Sequence, residues 1–222
     1  MNKREIAVFG RVWKEFLGLD KTLATEDKDY SCWHRGRKNF AVWAIDIRNS
    51  EVEARFKKAR ECMAEFLYEP YLRQPHITLL VCGFLRKTAE FSDDYSSDRQ
   101  SIHIQNLKQA KIKPFKIGIG GLNSFAAAPF LEVADVEGGL EKIRRILKAS
   151  DREPSSWEYV PHLTTGLYAG AFNTNQVAQK TADLRQSPLI YHIVYKIRLL
   201  TYSSFTIAGP LTKQSEVNLT TF

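Results

Sequence analysis

Cysteine is scarce in this sequence, methionine scarcer, and long hydrophobic runs are missing. The three cysteines, Cys32, Cys62 and Cys82, are odd in number and far apart, which fits neither a disulfide framework nor a zinc knuckle. A reducing, cytoplasmic compartment is expected. The longest largely apolar run, Ile77 to Leu85, contains Thr78 and Gly83 and is less than half of the roughly 20 residues that a membrane-spanning helix needs. No membrane segment is expected. The short apolar stretch Ile6 to Phe9 is soon interrupted by Arg11, Lys14 and Glu15, so no secretory leader is expected either. What is present excludes disorder: 44% of residues are hydrophobic and 12% aromatic, enough to build a core that offsets chain entropy. At 222 residues that core belongs to one large domain or two small lobes. The 32 Lys+Arg exceed the 25 Asp+Glu by a net charge of +7, a modest bias towards an anionic partner that is also consistent with plain solubility.

Residues 1–38 read as an extension: Ile6, Phe9, Val12, Trp13, Phe16 and Leu17 recur at helical spacing, and a polar stretch from Asp20 to Lys38 follows. Phe40 to Ile47 reads as a well-buried strand. Glu51 to about Leu67 reads as a helix capped by Ser50 with Glu53. Pro70 and Pro75 bound the loop before the strand His76 to Phe84. A polar stretch around Ser92 to Asp98, a helix ending near Ala110 and a strand from Phe115 to about Ile119 come next. Gly120, Gly121 and Asn123 mark a turn before the strand Phe130 to Val136. The pattern then recurs with a helix, Leu140 to Ala149, a Pro-containing loop, a strand His162 to Tyr168, a helix from about Thr174, and β-rich segments from Leu189 onward. The interval from first strand to motif strand is 76 − 40 = 36 residues in one half and 162 − 130 = 32 in the other. Such spacing indicates an internal duplication. The expected fold is α+β and bilobal, with pseudo-twofold symmetry, two antiparallel-rich sheets around a central cleft and helices outside. Its lobes would span about 39–122 and 123–222, with strand exchange possible.

Each half opens its motif strand with the same pattern, Pro75-His76-Ile77-Thr78 and Pro161-His162-Leu163-Thr164. With 8 Pro and 5 His in the chain, chance supplies about 0.01 copies of Pro-His-x-Thr, so two in equivalent places are not accidental. In a strand, residues two apart face the same way, so each His and its Thr share a surface while Ile77 and Leu163 point into the core. Facing lobes would gather His76, Thr78, His162 and Thr164 in one cleft. One neutral imidazole can take a proton while the other, protonated, gives one, and hydroxyls can hold phosphate oxygens. A metal site fits poorly, because Thr is a weak ligand and no further close ligand accompanies either pair.

The paired motifs, together with the stretch Phe125-Ala126-Ala127-Ala128-Pro129-Phe130-Leu131-Glu132-Val133, resemble the two-histidine (2H) phosphoesterase superfamily over about residues 39–210. That superfamily includes 2′-5′ RNA ligase-like proteins and cyclic nucleotide phosphodiesterases. The resemblance implies chemistry without metal or cofactor on 2′,3′-cyclic phosphates or 2′-5′-linked RNA or nucleotides. His76 and His162 would then be acid and base, and Thr78 and Thr164 phosphate ligands. Degradation of cyclic di- or oligonucleotides by the same residues, and noncatalytic RNA-end binding, are the alternatives. A monomer is expected.

Some members of the family place an Arg shortly after one motif. His162 to Tyr168 has none, and Arg73 is the candidate in its place, a solvated loop charge being its plainer reading. By parity Phe84 falls on the face of His76, and Tyr168 on that of His162. Both are possible substrate contacts that could stack on a base, stacking being the preferred reading for Tyr168 and packing for Phe84. Trp157 and Tyr159, in the loop before the second motif, are candidates for the rim. His192, Lys196 and Arg198 share parity and read as a basic row. The glycines Gly118, Gly120 and Gly121 lack the spacing of a dinucleotide fingerprint.

Overall fold

The computed structural model describes residues 3–149 and 158–220. Its elements run α1 (Lys3–Leu17), α2 (Ser31–His34), β1 (Asn39–Asp46), α3 (Ser50–Met63), β2 (His76–Arg86), β3 (Asp94–Ser96), α4 (Ser97–Gln109), β4 (Phe115–Ser124) and β5 (Pro129–Ala134). They continue with α5 (Gly139–Ala149), β6 (His162–Thr164), α6 (Thr174–Arg185), β7 (Ile190–Val194), β8 (Lys196–Ser203) and β9 (Thr212–Asn218). Two sheets result, ordered β3-β2-β1-β8-β9 and β6-β5-β4-β7. All pairs are antiparallel except β2 with β3. The fold is thus α+β with two sheets and helices outside them. The halves exchange strands, since β4 joins the second sheet while β8 and β9 return to the first.

Helices are exchanged as well. α5 follows β5 of the second sheet but packs on β2 beside α4, and α3 follows β1 of the first sheet but packs beside α6. Arg55 of α3 donates to the carbonyls of Ile119 (3.0 Å), Gly120 (3.2 Å) and Pro188 (2.6 Å). One hydrophobic core therefore holds Trp43, Ile45 and Leu79 of the first sheet together with Ile117, Leu131 and Leu163 of the second. Trp43 can be buried because its indole N–H lies 3.1 Å from the Tyr95 hydroxyl and 3.2 Å from His103 Nδ1.

Local rules decide several boundaries differently from the sequence reading. α3 is capped by Asn49, whose Oδ1 accepts from the amides of Glu51 (3.0 Å) and Val52 (3.1 Å), rather than by the expected Ser50 and Glu53 pair. Gly120 and Gly121 make no turn. They form a bulge inside β4 opposite Glu132, and the turn comes at Phe125–Ala128. A Cβ on Gly121 would lie 2.1 Å from the Arg185 carbonyl, so the glycine is needed where the end of α6 meets the strand. Gly83 adopts φ +115°, and a Cβ there would lie 2.2 Å from the Asp93 carbonyl, which accepts from the Phe84 amide.

The N-terminal segment spans both halves. α1 lies over the face of the second sheet that carries His162: Phe9 and Val12 pack on Phe130, and Asn123 donates to the Phe9 carbonyl at 3.1 Å. Arg11 pairs with Glu158. Leu23 and Thr25 then donate their amides to the carbonyls of Ala126 and Tyr168, both at 2.8 Å. Beyond α2, buried Arg37 pairs with Asp93 (2.7 Å) and Asp94 (2.6 Å) of the first half. The expected basic row does not exist: His192 lies on β7 of the second sheet, whereas Lys196 and Arg198 lie on β8 of the first and pair with Glu216. The chain changes sheets at Tyr195, so parity does not carry across.

Candidate active site

Each motif strand shows the alternation its sequence demands. His76 and Thr78 are partly exposed around fully buried Ile77, and His162 and Thr164 likewise flank fully buried Leu163. β2 and β6 lie against each other, which brings the two motifs together. His76 faces Asp46 across the first sheet, and His162 faces Glu132 across the second.

The two imidazoles are held in the same way. His76 Nδ1 lies 2.8 Å from the Gln74 carbonyl, and His162 Nδ1 lies 2.7 Å from the Val160 carbonyl. A carbonyl only accepts, so Nδ1 carries the hydrogen and the lone pair of the neutral ring sits on Nε2. Burial pushes the His76 pKa down to about 4 against the effect of the Gln74 carbonyl, with the positive charges of Arg73 and His162 acting in the same direction as burial. Burial likewise lowers that of His162, against the Val160 carbonyl. Both rings are therefore neutral near pH 7 in the unliganded protein. A bound phosphate adds the negative charge that favours a proton on one of them.

Arg73 stands beside the first motif: its charge acts on His76, its guanidinium lies 4.3 Å from the Tyr202 ring, and its buried Nε meets no hydrogen-bond partner. Phe84 does share the His76 face, because two bulges in the β1–β2 pairing shift the parity twice and restore it. It is nevertheless fully buried between Trp33, Phe40 and Arg37, so it packs, as expected. Tyr168 offers no stacking surface. β6 ends at Thr164, so strand parity does not reach it, and the ring is fully buried with its hydroxyl 2.6 Å from Ser124 Oγ. Tyr159 donates its hydroxyl to the Thr78 carbonyl at 2.9 Å and carries Arg144 over its ring at 3.5 Å. Trp157 lies outside the described residues.

The site also contains residues that the sequence reading did not single out for it. A cavity of about 920 Å³ adjoins His162, lined by Phe125, Tyr159 and Arg144 and walled by Arg11, Val12 and Phe16 of α1, with Leu19 just beyond. Phe125 stands edge-on to the His162 ring at 5.1 Å and stacks on Phe130 at 4.2 Å. Tyr71, in the loop before the first motif, reaches the Thr164 carbonyl at 3.4 Å. Of these, Tyr159 is already a rim candidate, and a signal for Tyr71 was available, since each motif is preceded by a tyrosine within five residues. None marked α1, whose packing face depends on the second sheet. Among the described residues no group of three or more His, Cys, Asp or Glu could hold a metal ion, and no helix is long and apolar enough to cross a membrane.

Comparison with known proteins agrees with this architecture. The family model described as the 2′-5′ RNA ligase superfamily matches residues 49–204. The crystal structure of E. coli LigT complexed with NADP+ is similar with a TM-score of 0.55 and 15% identity, covering 84% of this chain and 100% of that one. That of TT0787 of Thermus thermophilus gives 0.56 and 16%, covering 81% and 97%. E. coli LigT complexed with 3′-AMP gives 0.52 and 14%, covering 84% and 100%. At these identities the likeness concerns the fold. No curated protein matches the chain in sequence.

Proposed function

The chain belongs to the 2′-5′ RNA ligase superfamily of two-histidine phosphoesterases, and from that premise we propose that it is a cytoplasmic phosphodiesterase acting on 2′,3′-cyclic phosphates or 2′-5′ linkages in RNA or nucleotides. The observation that carries this reading is the pair of matched imidazoles, each with Nδ1 on the carbonyl two residues back and its Nε2 lone pair available. One Nε2 takes a proton from the attacking water or ribose hydroxyl, the new P–O bond forms, and the other ring, protonated, gives its proton to the oxygen that leaves. Thr78 and Thr164 donate to the non-bridging oxygens as charge builds there, and Arg73 adds a positive charge from the first lobe. The three cysteines, odd in number and far apart in the sequence, fit the reducing compartment of this reading.

Purified protein in EDTA, offered 2′,3′-cyclic nucleotides, 2′-5′ dinucleotides and cyclic dinucleotides, is expected to convert one of the first two classes, with the products identified by chromatography. Turnover of cyclic dinucleotides alone would redirect the reading to signal degradation. Binding without turnover of any substrate would make the protein an RNA-end binder.

The cavity beside His162 supplies the place for the substrate's base, with Phe125 as its aromatic face. Leu19, part of its lining and 39% exposed, can be enlarged without disturbing the core. Leu19→Trp is expected to raise KM by about tenfold with little change in kcat, the size of one lost stacking contact. Unchanged KM would remove the Leu19 side of the cavity from substrate binding.

A further inference from the structure

Four residues outside the motifs repeat one arrangement in both halves. Tyr159, three residues before His162, donates its hydroxyl to the Thr78 carbonyl at 2.9 Å. Tyr71, five residues before His76, donates to the Thr164 carbonyl at 3.4 Å. Each tyrosine thus leaves the segment that leads into one motif and ends on the threonine of the other.

An arginine accompanies each of them. Arg144 of α5 lies over the Tyr159 ring at 3.5 Å and donates to the carbonyl of Leu79, the residue after Thr78. Arg60 of α3 lies over the Tyr71 ring at 4.8 Å and donates, at 2.7 Å, to the carbonyl of Thr165, the residue after Thr164. α3 and α5 are the equivalent helices of the two halves, and each is the one that packs against the opposite half. The backbone of each motif is therefore gripped at two successive carbonyls by a Tyr and an Arg supplied from across the duplication.

From this geometry we propose that Arg60 with Tyr71 and Arg144 with Tyr159 are two equivalent crossed clasps, positioning residues that set how far apart and at what angle the two His-x-Thr motifs stand. The need for them follows from the chemistry. A proton taken on one side of a phosphate and returned on the other requires both imidazoles in register with one phosphorus atom, and errors of about 1 Å can cost 10²-fold. β6 has only three residues and lies at the edge of its sheet, so its own ladder holds it weakly. Among the described residues the two sheets share no hydrogen-bonded strand pair, and the backbone bridge between the halves, Leu67 with Tyr168, lies outside both His-x-Thr segments. At the motifs themselves side chains supply the link.

The inference rests on the phosphodiesterase reading only where it is read through turnover, so its test has an arm that needs no substrate. Tyr159→Phe and Tyr71→Phe remove one hydroxyl and leave each ring under its arginine. Tyr168→Phe, which removes a more deeply buried hydroxyl bonded within one half to Ser124, is the control. Ring-proton NMR of the unliganded protein follows the titration of His76 and His162. Loosening the motifs weakens the burial and the mutual charge that hold His76 low, so its midpoint is expected to rise towards the ordinary 6.5 in both clasp variants and to stay fixed in Tyr168→Phe. With a turned-over substrate, kcat is expected to fall about 10- to 100-fold with KM within about twofold. Unmoved histidine midpoints in the clasp variants overturn the proposal, whatever happens to melting temperature, and so does a rise of equal size in the control. If either tyrosine variant does not fold, the other decides. A wild-type protein that turns nothing over overturns the phosphodiesterase reading while the NMR arm still decides the clasps.

Discussion

His76→Ala and His162→Ala are each expected to lower kcat by about 10² to 10⁴, the span for removing a general acid or base, with the chain still folded. Both side chains are partly exposed, and the core beneath them is filled by Ile77 and Leu163, so truncation opens no internal void. The loss is chemical. Without one imidazole the proton must go to water or come from it. Because the two rings act on one phosphate, removing both should cost little more than removing one. Single-turnover rates of the three variants, with circular dichroism to confirm folding, check this. A near-wild-type rate in either single variant would take that histidine out of the mechanism.

A displaced pH profile is the second large effect. kcat/KM reports the protonation of unliganded protein, and the reaction needs one neutral and one charged imidazole. Burial lowers both pKa values, that of His76 to about 4, so the charged partner loses its proton at lower pH than an unperturbed histidine would. kcat/KM is therefore expected to peak on the acid side of 6.5 and to fall more steeply between about pH 6 and 7 than the roughly threefold that an unperturbed ring would lose. The kcat profile should lie at higher pH, since the bound phosphate favours the imidazolium. The same shifts act on stability with a defined sign. The unfolded rings, near 6.5, bind more protons than the folded ones, so their contribution is intact above about pH 6.5 and is lost as pH falls towards 4. A flat kcat/KM between pH 5 and 9, or a falling limb centred above 6.5, would contradict paired-histidine chemistry with these environments.

Much of the site could be read before any coordinates. The two Pro-His-x-Thr segments, their equivalent places in a duplicated pattern and the inward Ile77 and Leu163 all follow from composition and a two-residue period. Phe84, a possible substrate contact for which packing is the preferred reading, is fully buried and packs. Tyr168 failed because period two holds only while a strand lasts, and β6 stops four residues earlier. Gly120 and Gly121 read as a turn because glycine marks turns and bulges alike.

The amino-acid pattern by itself determined that each His shares a surface with its own Thr and that there are two such pairs, because strand alternation is a local, steric property. Only the tertiary structure decided what surrounds them. α3 and α5 each cross to the opposite half, and that exchange puts Arg60 with Tyr71 and Arg144 with Tyr159 on the partner motif. α1 settles over the His162 face because Phe130 there leaves an apolar surface that Phe9 and Val12 cover. Such choices depend on which exposed face finds a complementary one elsewhere in the chain, and that is set by the packing of distant segments rather than by the spacing of neighbours.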